Sequence, residues 1–162
     1  MRYSGGIFME TENEKQTKTV KVIGQFTAPG CVDSIQKIID FVSDLARKQG
    51  YGIERITQIE RAFTEVFTNI VTYAFRETSG DITISCTLDR AERMVFKVID
   101  WGSSFNMLLA SDPLFKDEFV EQGIKQPSAR LVKKFTDTVE YQRLENMNYL
   151  FLTFSPVVRS GQ

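Results

Sequence analysis

No histidine occurs in the 162 residues of this chain. That absence removes Ser-His-Asp and Cys-His catalysis together with most zinc sites, so any general base must be a carboxylate, Lys, Tyr or Cys. Cysteine is nearly as scarce. Cys31 stands at the start of a helical stretch and Cys86 inside a strand-like run, too few for a disulfide framework. Cys86 reads as a small buried hydrophobe. An excess of one charge is also missing: 20 basic residues against 21 acidic ones leave a net charge of -1. Nothing therefore advertises a nucleic-acid or membrane surface, and a protein or small-molecule partner is the better expectation. No apolar run approaches the roughly 18 residues of a membrane span, and no basic-then-apolar signal pattern opens the chain. The cytoplasm is the expected location.

With 42% apolar residues the chain is long enough for one buried core. Residues 1–17 mix Gly5-Gly6 with polar residues and no periodicity, and read as a flexible tail. A single domain is expected over residues 18–156, with 157–162 as a C-terminal tail. Thr19 to Phe26 is a β-branched run closed by Pro29-Gly30. From Val32 to Lys48, Ile35, Ile38, Ile39, Val42, Leu45 and Ala46 share one helical face, and Gly50 is placed to stop it.

The richest stretch is Ile59 to Phe75. Ile59, Phe63, Val66, Phe67, Ile70, Val71 and Ala74 recur at three- and four-residue steps, which predicts an amphipathic helix. Glu65 and Asn69 lie four apart and therefore stack at the rim of its apolar stripe. A Glu and an Asn on a helix are most often just solvated polar residues. The pair gains meaning from the hairpin downstream of it, Ile82 to Leu88 and Met94 to Ile99, whose second strand ends in Asp100-Trp101-Gly102. Periodicity is then lost from Ser103 to Gln126, apart from a short helical pattern around Leu114 to Val120, so this segment reads as a functional loop or a disordered one. Pro127 fits the first position of a helix carrying Leu131, Val132 and Phe135. A closing hairpin comes last, with Thr138 to Leu144 and Tyr149 to Phe154 joined by Glu145 to Asn148. The order β-α-α-β-β-α-β-β predicts an α+β two-layer sandwich, with helices on one face of a mostly antiparallel mixed sheet.

The run Glu65 to Phe75 resembles the N box of the GHKL (Bergerat-type) ATPase fold, and Asp100-Trp101-Gly102 resembles its G1 box. Over roughly residues 18 to 155 the chain is most similar to the anti-sigma-factor serine/threonine kinases of bacteria. The resemblance implies that ATP and Mg²⁺ bind between the Ile59 helix, the Asp100 turn and a lid formed by the Ser103 to Gln126 segment. It implies Asn69 as a magnesium ligand through its side-chain oxygen, Glu65 as the general base for a substrate serine, and Asp100 as acceptor of the adenine amino group. Gly102 would let the base approach the backbone. Phe105 resembles an aromatic that lines this pocket, and a plain core role fits it as well.

Two departures stand out. Lys125-Gln126-Pro127-Ser128 occupies the place of the family's second glycine box, so the glycines that close backbone N–H groups on phosphates are replaced. Lys125 is left there to contribute charge, and Ser128 keeps a hydroxyl. Tyr73 takes the place of a common histidine and keeps a hydroxyl. Two functions stay open at this point. One is a kinase of a STAS-domain anti-sigma-factor antagonist that also binds a sigma factor, in a family whose members often form homodimers. The other is a catalytically weak or inactive protein-binding module on the same scaffold.

Overall fold

The computed structural model describes residues 20–110, 121–123 and 125–160. The short helix expected around Leu114 to Val120 lies outside them. Strand β1 (Val22–Pro29) leads through a 3-10 turn (Val32–Ser34) into helix α1 (Ile35–Lys48). Gly50 ends α1 in a left-handed conformation, φ 80°. Its N–H donates to the Arg47 carbonyl and that of Tyr51 to the Ala46 carbonyl, both at 3.0 Å, a Schellman cap that satisfies the last carbonyls of the helix.

Helix α2 spans Ile53–Asn69, and its final turn widens into a π-type turn at Ile70–Ala74. It starts six residues before the stretch singled out in the sequence, because Gly52 is extended and serves as the N-cap. The widening is visible in one bond: the Phe75 N–H reaches back to the Ile70 carbonyl at 3.0 Å, five residues rather than four. Ile59, Ala62, Phe63, Val66 and Phe67 are fully buried, as the apolar stripe requires.

Strands β2 (Asp81–Leu88) and β3 (Met94–Asp100) form the first hairpin. A 3-10 turn (Met107–Leu109), the six-residue helix α3 (Arg130–Phe135), β4 (Thr138–Leu144) and β5 (Met147–Phe154) complete the chain. The sheet order is β1-β2-β3-β5-β4, and every pairing among the described residues is antiparallel. Ile82, Ile84, Phe96, Val98, Leu152 and Phe154 alternate onto one buried face, where Phe63 meets Phe96 and Phe154 with ring centroids 4.8 and 5.8 Å apart. Helices α1 and α2 pack side by side, with α3 against α2. This is the α+β arrangement expected of the sequence, a five-stranded sheet with its helices on one side.

Two local expectations are corrected. Pro127 is not in a helix, since α3 begins at Arg130. The turn between β4 and β5 is Glu145-Asn146, both with positive φ (51° and 65°), the signature of a two-residue hairpin. Met147 and Asn148 are therefore strand residues, and the register sets Asn148 directly opposite Asp100.

Candidate functional site

The polar face of α2 carries the first half of the site. Arg61, Thr64, Glu65, Thr68, Asn69, Thr72 and Tyr73 line one side of a groove of about 420 Å³, and Lys125, Gln126, Pro127, Ser128 and Leu131 line the other. Three of these side chains, Glu65, Asn69 and Tyr73, bond directly to the segment opposite. Glu65 Oε1 accepts from the Val132 N–H at 2.9 Å and Oε2 from the Ser128 hydroxyl at 3.1 Å. The Asn69 amide donates to the Ser128 carbonyl at 2.8 Å, and the Tyr73 hydroxyl donates to the Lys125 carbonyl. Glu65 thereby satisfies one free N–H in the first turn of α3 with a negative charge, where the helix end favours it.

Asn69 is 4% exposed, and its amide nitrogen takes both of its contacts, to Ser128 and to the Met107 sulfur at 3.6 Å. Its Oδ1 has no protein partner among the described residues, and Oδ1 is the atom a hard cation would use. Among the described residues no cluster of three or more His, Cys, Asp or Glu could hold a metal by itself. A magnesium ion here would fit only in the usual manner for nucleotide sites, on one or two protein oxygens with phosphate oxygens and waters completing the shell.

The second half lies elsewhere. Asp100 is 3% exposed, and Gly102 and Phe105 are also buried. None of the three lines the groove. Asp100 Oδ1 accepts from the Gly102 N–H at 2.9 Å and from the Asn148 amide at 2.8 Å. Burial pushes the Asp100 carboxyl above its ordinary range, against the opposing pull of these two bonds and of the Arg143 charge. Arg143 also donates to the Gly102 carbonyl at 2.8 Å. The need for glycine at 102 has a structural cause: a Cβ there would sit 2.6 Å from the Ala74 carbonyl oxygen, at the end of the π-type turn. That same carbonyl accepts the Ser103 N–H at 2.8 Å, so the turn after β3 is fastened to the helix end. Gly102 thus permits an approach of protein to protein in this conformation.

Phe105 and Tyr73 connect the halves. Their rings stack with centroids 4.8 Å apart and 20° between planes. Tyr73 lines the groove and Phe105 does not. The phosphate end implied by the resemblance (Glu65, Asn69, Tyr73, Lys125, Ser128) is therefore assembled beside open space, and the residues present fit it. The base end does not fit a purine in this arrangement, because Asp100 is enclosed and half engaged.

Asn148 is the residue that sequence reasoning missed. Besides Asp100 it donates to the Ser103 carbonyl at 2.9 Å, and its Oδ1 accepts from the Tyr141 hydroxyl at 2.6 Å and the Phe105 N–H at 3.4 Å. Only the strand register reveals it. The threonines Thr64, Thr68 and Thr72 were legible in principle, as a row at four-residue spacing beside Glu65 and Asn69.

A family model described as the histidine kinase-like ATPase domain matches residues 29–154. No curated protein matches the chain. Among solved structures, a chain from the SiaB–SiaC complex of Pseudomonas aeruginosa superposes with a TM-score of 0.59 at 10% identity. The match covers 93% of this chain and 99% of that one. Identity that low speaks for a shared fold alone.

Proposed function

This chain belongs to the histidine kinase-like ATPase domain family, and on that premise we propose that it is an ATP-dependent partner-switch regulator of the anti-sigma-factor kinase type. Its substrate is a serine on a STAS-domain anti-sigma-factor antagonist, and its output is a change in which protein partner, antagonist or sigma factor, it holds. The single observation that carries this reading is the set of bonds from Glu65, Asn69 and Tyr73 to one opposing segment beside a cavity of about 420 Å³. A wall fastened by side chains of the site is a wall whose position a ligand can change.

The chemistry assigned to these residues is phosphoryl transfer. The serine oxygen attacks the γ-phosphorus of ATP in line, the bond from that phosphorus to the β,γ-bridging oxygen breaks, and ADP leaves. Glu65 accepts the proton released by the serine hydroxyl. Asn69 Oδ1 would hold Mg²⁺, which supplies neutralising charge at the phosphates. Asp100 would accept from the adenine amino group only in a conformation in which its carboxyl, enclosed here, is uncovered. The structural neighbour, itself part of a two-protein complex, agrees with a protein partner.

A second reading, a non-catalytic binding module, is favoured by one specific observation. Both oxygens of Glu65 are already engaged, and Pro127 and Ser128 stand where glycines would close on phosphates. One experiment separates the two readings. The chain is incubated with labelled ATP, Mg²⁺ and a STAS-domain protein from the same organism, beside a Glu65→Gln variant. The kinase reading requires label on the STAS serine, with the rate reduced about a hundredfold or more in the variant. Stable binding of the STAS protein without transfer would establish the module instead.

A further inference from the structure

We propose that the surface formed by α2, the end of α3 and the segment after β5 is a docking site for an acidic segment of a partner protein. It lies one helical turn from Glu65, and it does not depend on nucleotide being bound or turned over.

The cations come first. The Arg61 guanidinium carbon lies 5.3 Å from the centroid of the Phe135 ring, and the Lys134 Nζ lies 5.5 Å from the same centroid. Neither has a carboxylate within ion-pair range among the described residues. Both side chains line the same depression, where an anion would meet two positive charges that no carboxylate among the described residues pairs with. Arg159, whose side chain is 44% exposed, adds a third charge and reaches Asp137 at 3.2 Å. Behind them Arg55 is fully buried, with Nη2 lacking a hydrogen-bond partner and 3.8 Å from Asp137. Basic side chains outnumber carboxylates on the lining of this surface, although the whole chain is nearly neutral.

Shape and apolar footholds come second. Two adjoining depressions of about 530 and 540 Å³ share Lys134, Val158, Arg159 and Ser160. Val157, 68% exposed, and Val158, 38% exposed, flank the cations. Glu54 is the one carboxylate on the lining.

The surface is also held in place. Gln58 Nε2 donates to the Arg159 carbonyl at 2.8 Å, and its Oε1 accepts the Arg159 N–H at 3.1 Å, so one side chain pairs with the backbone as a neighbouring strand would. Ser155 is fixed as well, its N–H donating to Asp137 and its carbonyl accepting from Arg55 Nε at 2.8 Å. The segment read from sequence as a C-terminal tail is therefore fastened to α2 as far as Arg159. A preorganised row of cations with two valines beside it suits carboxylates interspersed with aliphatic side chains. A free phosphate has no use for the valines.

The test uses the full chain and a fluorescent ten-residue peptide of Asp and Glu around a central Leu-Leu pair, with binding read by anisotropy. Four results support the proposal when found together. The peptide binds saturably, and its Asn/Gln counterpart does not. An Arg61→Gln, Lys134→Gln double variant with unchanged circular dichroism binds about tenfold more weakly. A Val157→Ser, Val158→Ser variant is also weakened. Binding that ignores both variants, or no binding by the folded chain, overturns it. Displacement of the peptide by equimolar inorganic phosphate overturns the assignment to a protein segment.

Discussion

At the phosphate end of the site, Glu65, Asn69 and Tyr73 commit their hydrogen bonds to residues 125–132, a segment outside the sheet. At the base end, Asp100, Asn148 and Gly102 bond among β3, β5 and the turn after β3. The first set links α2 to a segment that pairs with no strand. The second links parts of the sheet that must stay together for the fold to exist. The same residue types therefore carry different burdens: loss of a bond at the base end costs more stability than loss of one at the phosphate end.

The largest effect that would test this contrast is expected from Asn148→Ala. It removes four hydrogen bonds and leaves the Asp100 carboxylate buried with one partner fewer, a loss of about 3 kcal/mol in urea unfolding. Gly102→Ala comes next. Its Cβ meets the Ala74 backbone rather than a side chain that could turn away, and the account predicts about 2 kcal/mol by the same measurement. Glu65→Gln keeps the side chain's shape and loses the charge at the start of α3, so about 1 kcal/mol or less is at stake. Its signature is faster hydrogen exchange at Val132 with little change elsewhere.

The smallest effect is one of pH. Burial raises the Asp100 carboxyl above its ordinary value of 3.8. Between that value and the raised one, the folded protein keeps a proton that the unfolded chain has lost. Its contribution to stability therefore falls as pH rises through that window and is level above it. In Asp100→Asn the fall should disappear, which unfolding curves at a series of acidic pH values would detect. A variant with the same slope as the native chain would place the titrating group elsewhere.

Much of this architecture was legible because it is local. The α1 stripe and its stop at Gly50, the alternation in β2 and β3, and the pairing of Glu65 with Asn69 all follow from spacing alone. The parts that were not legible depend on partners distant in sequence. The π-type turn at Ile70–Ala74 reflects the docking of the Ser103 turn on Ala74, and no residue in the run from Ile70 to Ala74 signals it. Arg55 looks like an ordinary polar-face residue, yet it is buried because Phe135, Gln58 and Ser155 supply oxygens to it. Pro127 suggests a helix start, and the chain instead delays α3 to Arg130, which leaves Ser128 free to meet Glu65. Asn148 reads as a turn residue, and the two-residue hairpin instead sets it opposite Asp100.

The most direct measurement is calorimetric titration of the folded chain with ATP, with and without Mg²⁺, beside Asn69→Ala and Asp100→Asn. The account predicts saturable binding that tightens with Mg²⁺, loses that dependence in Asn69→Ala, and weakens in Asp100→Asn. A folded chain that shows no heat of binding at millimolar ATP would contradict it, and would leave the phosphate-end groove as a fixed contact between α2 and α3.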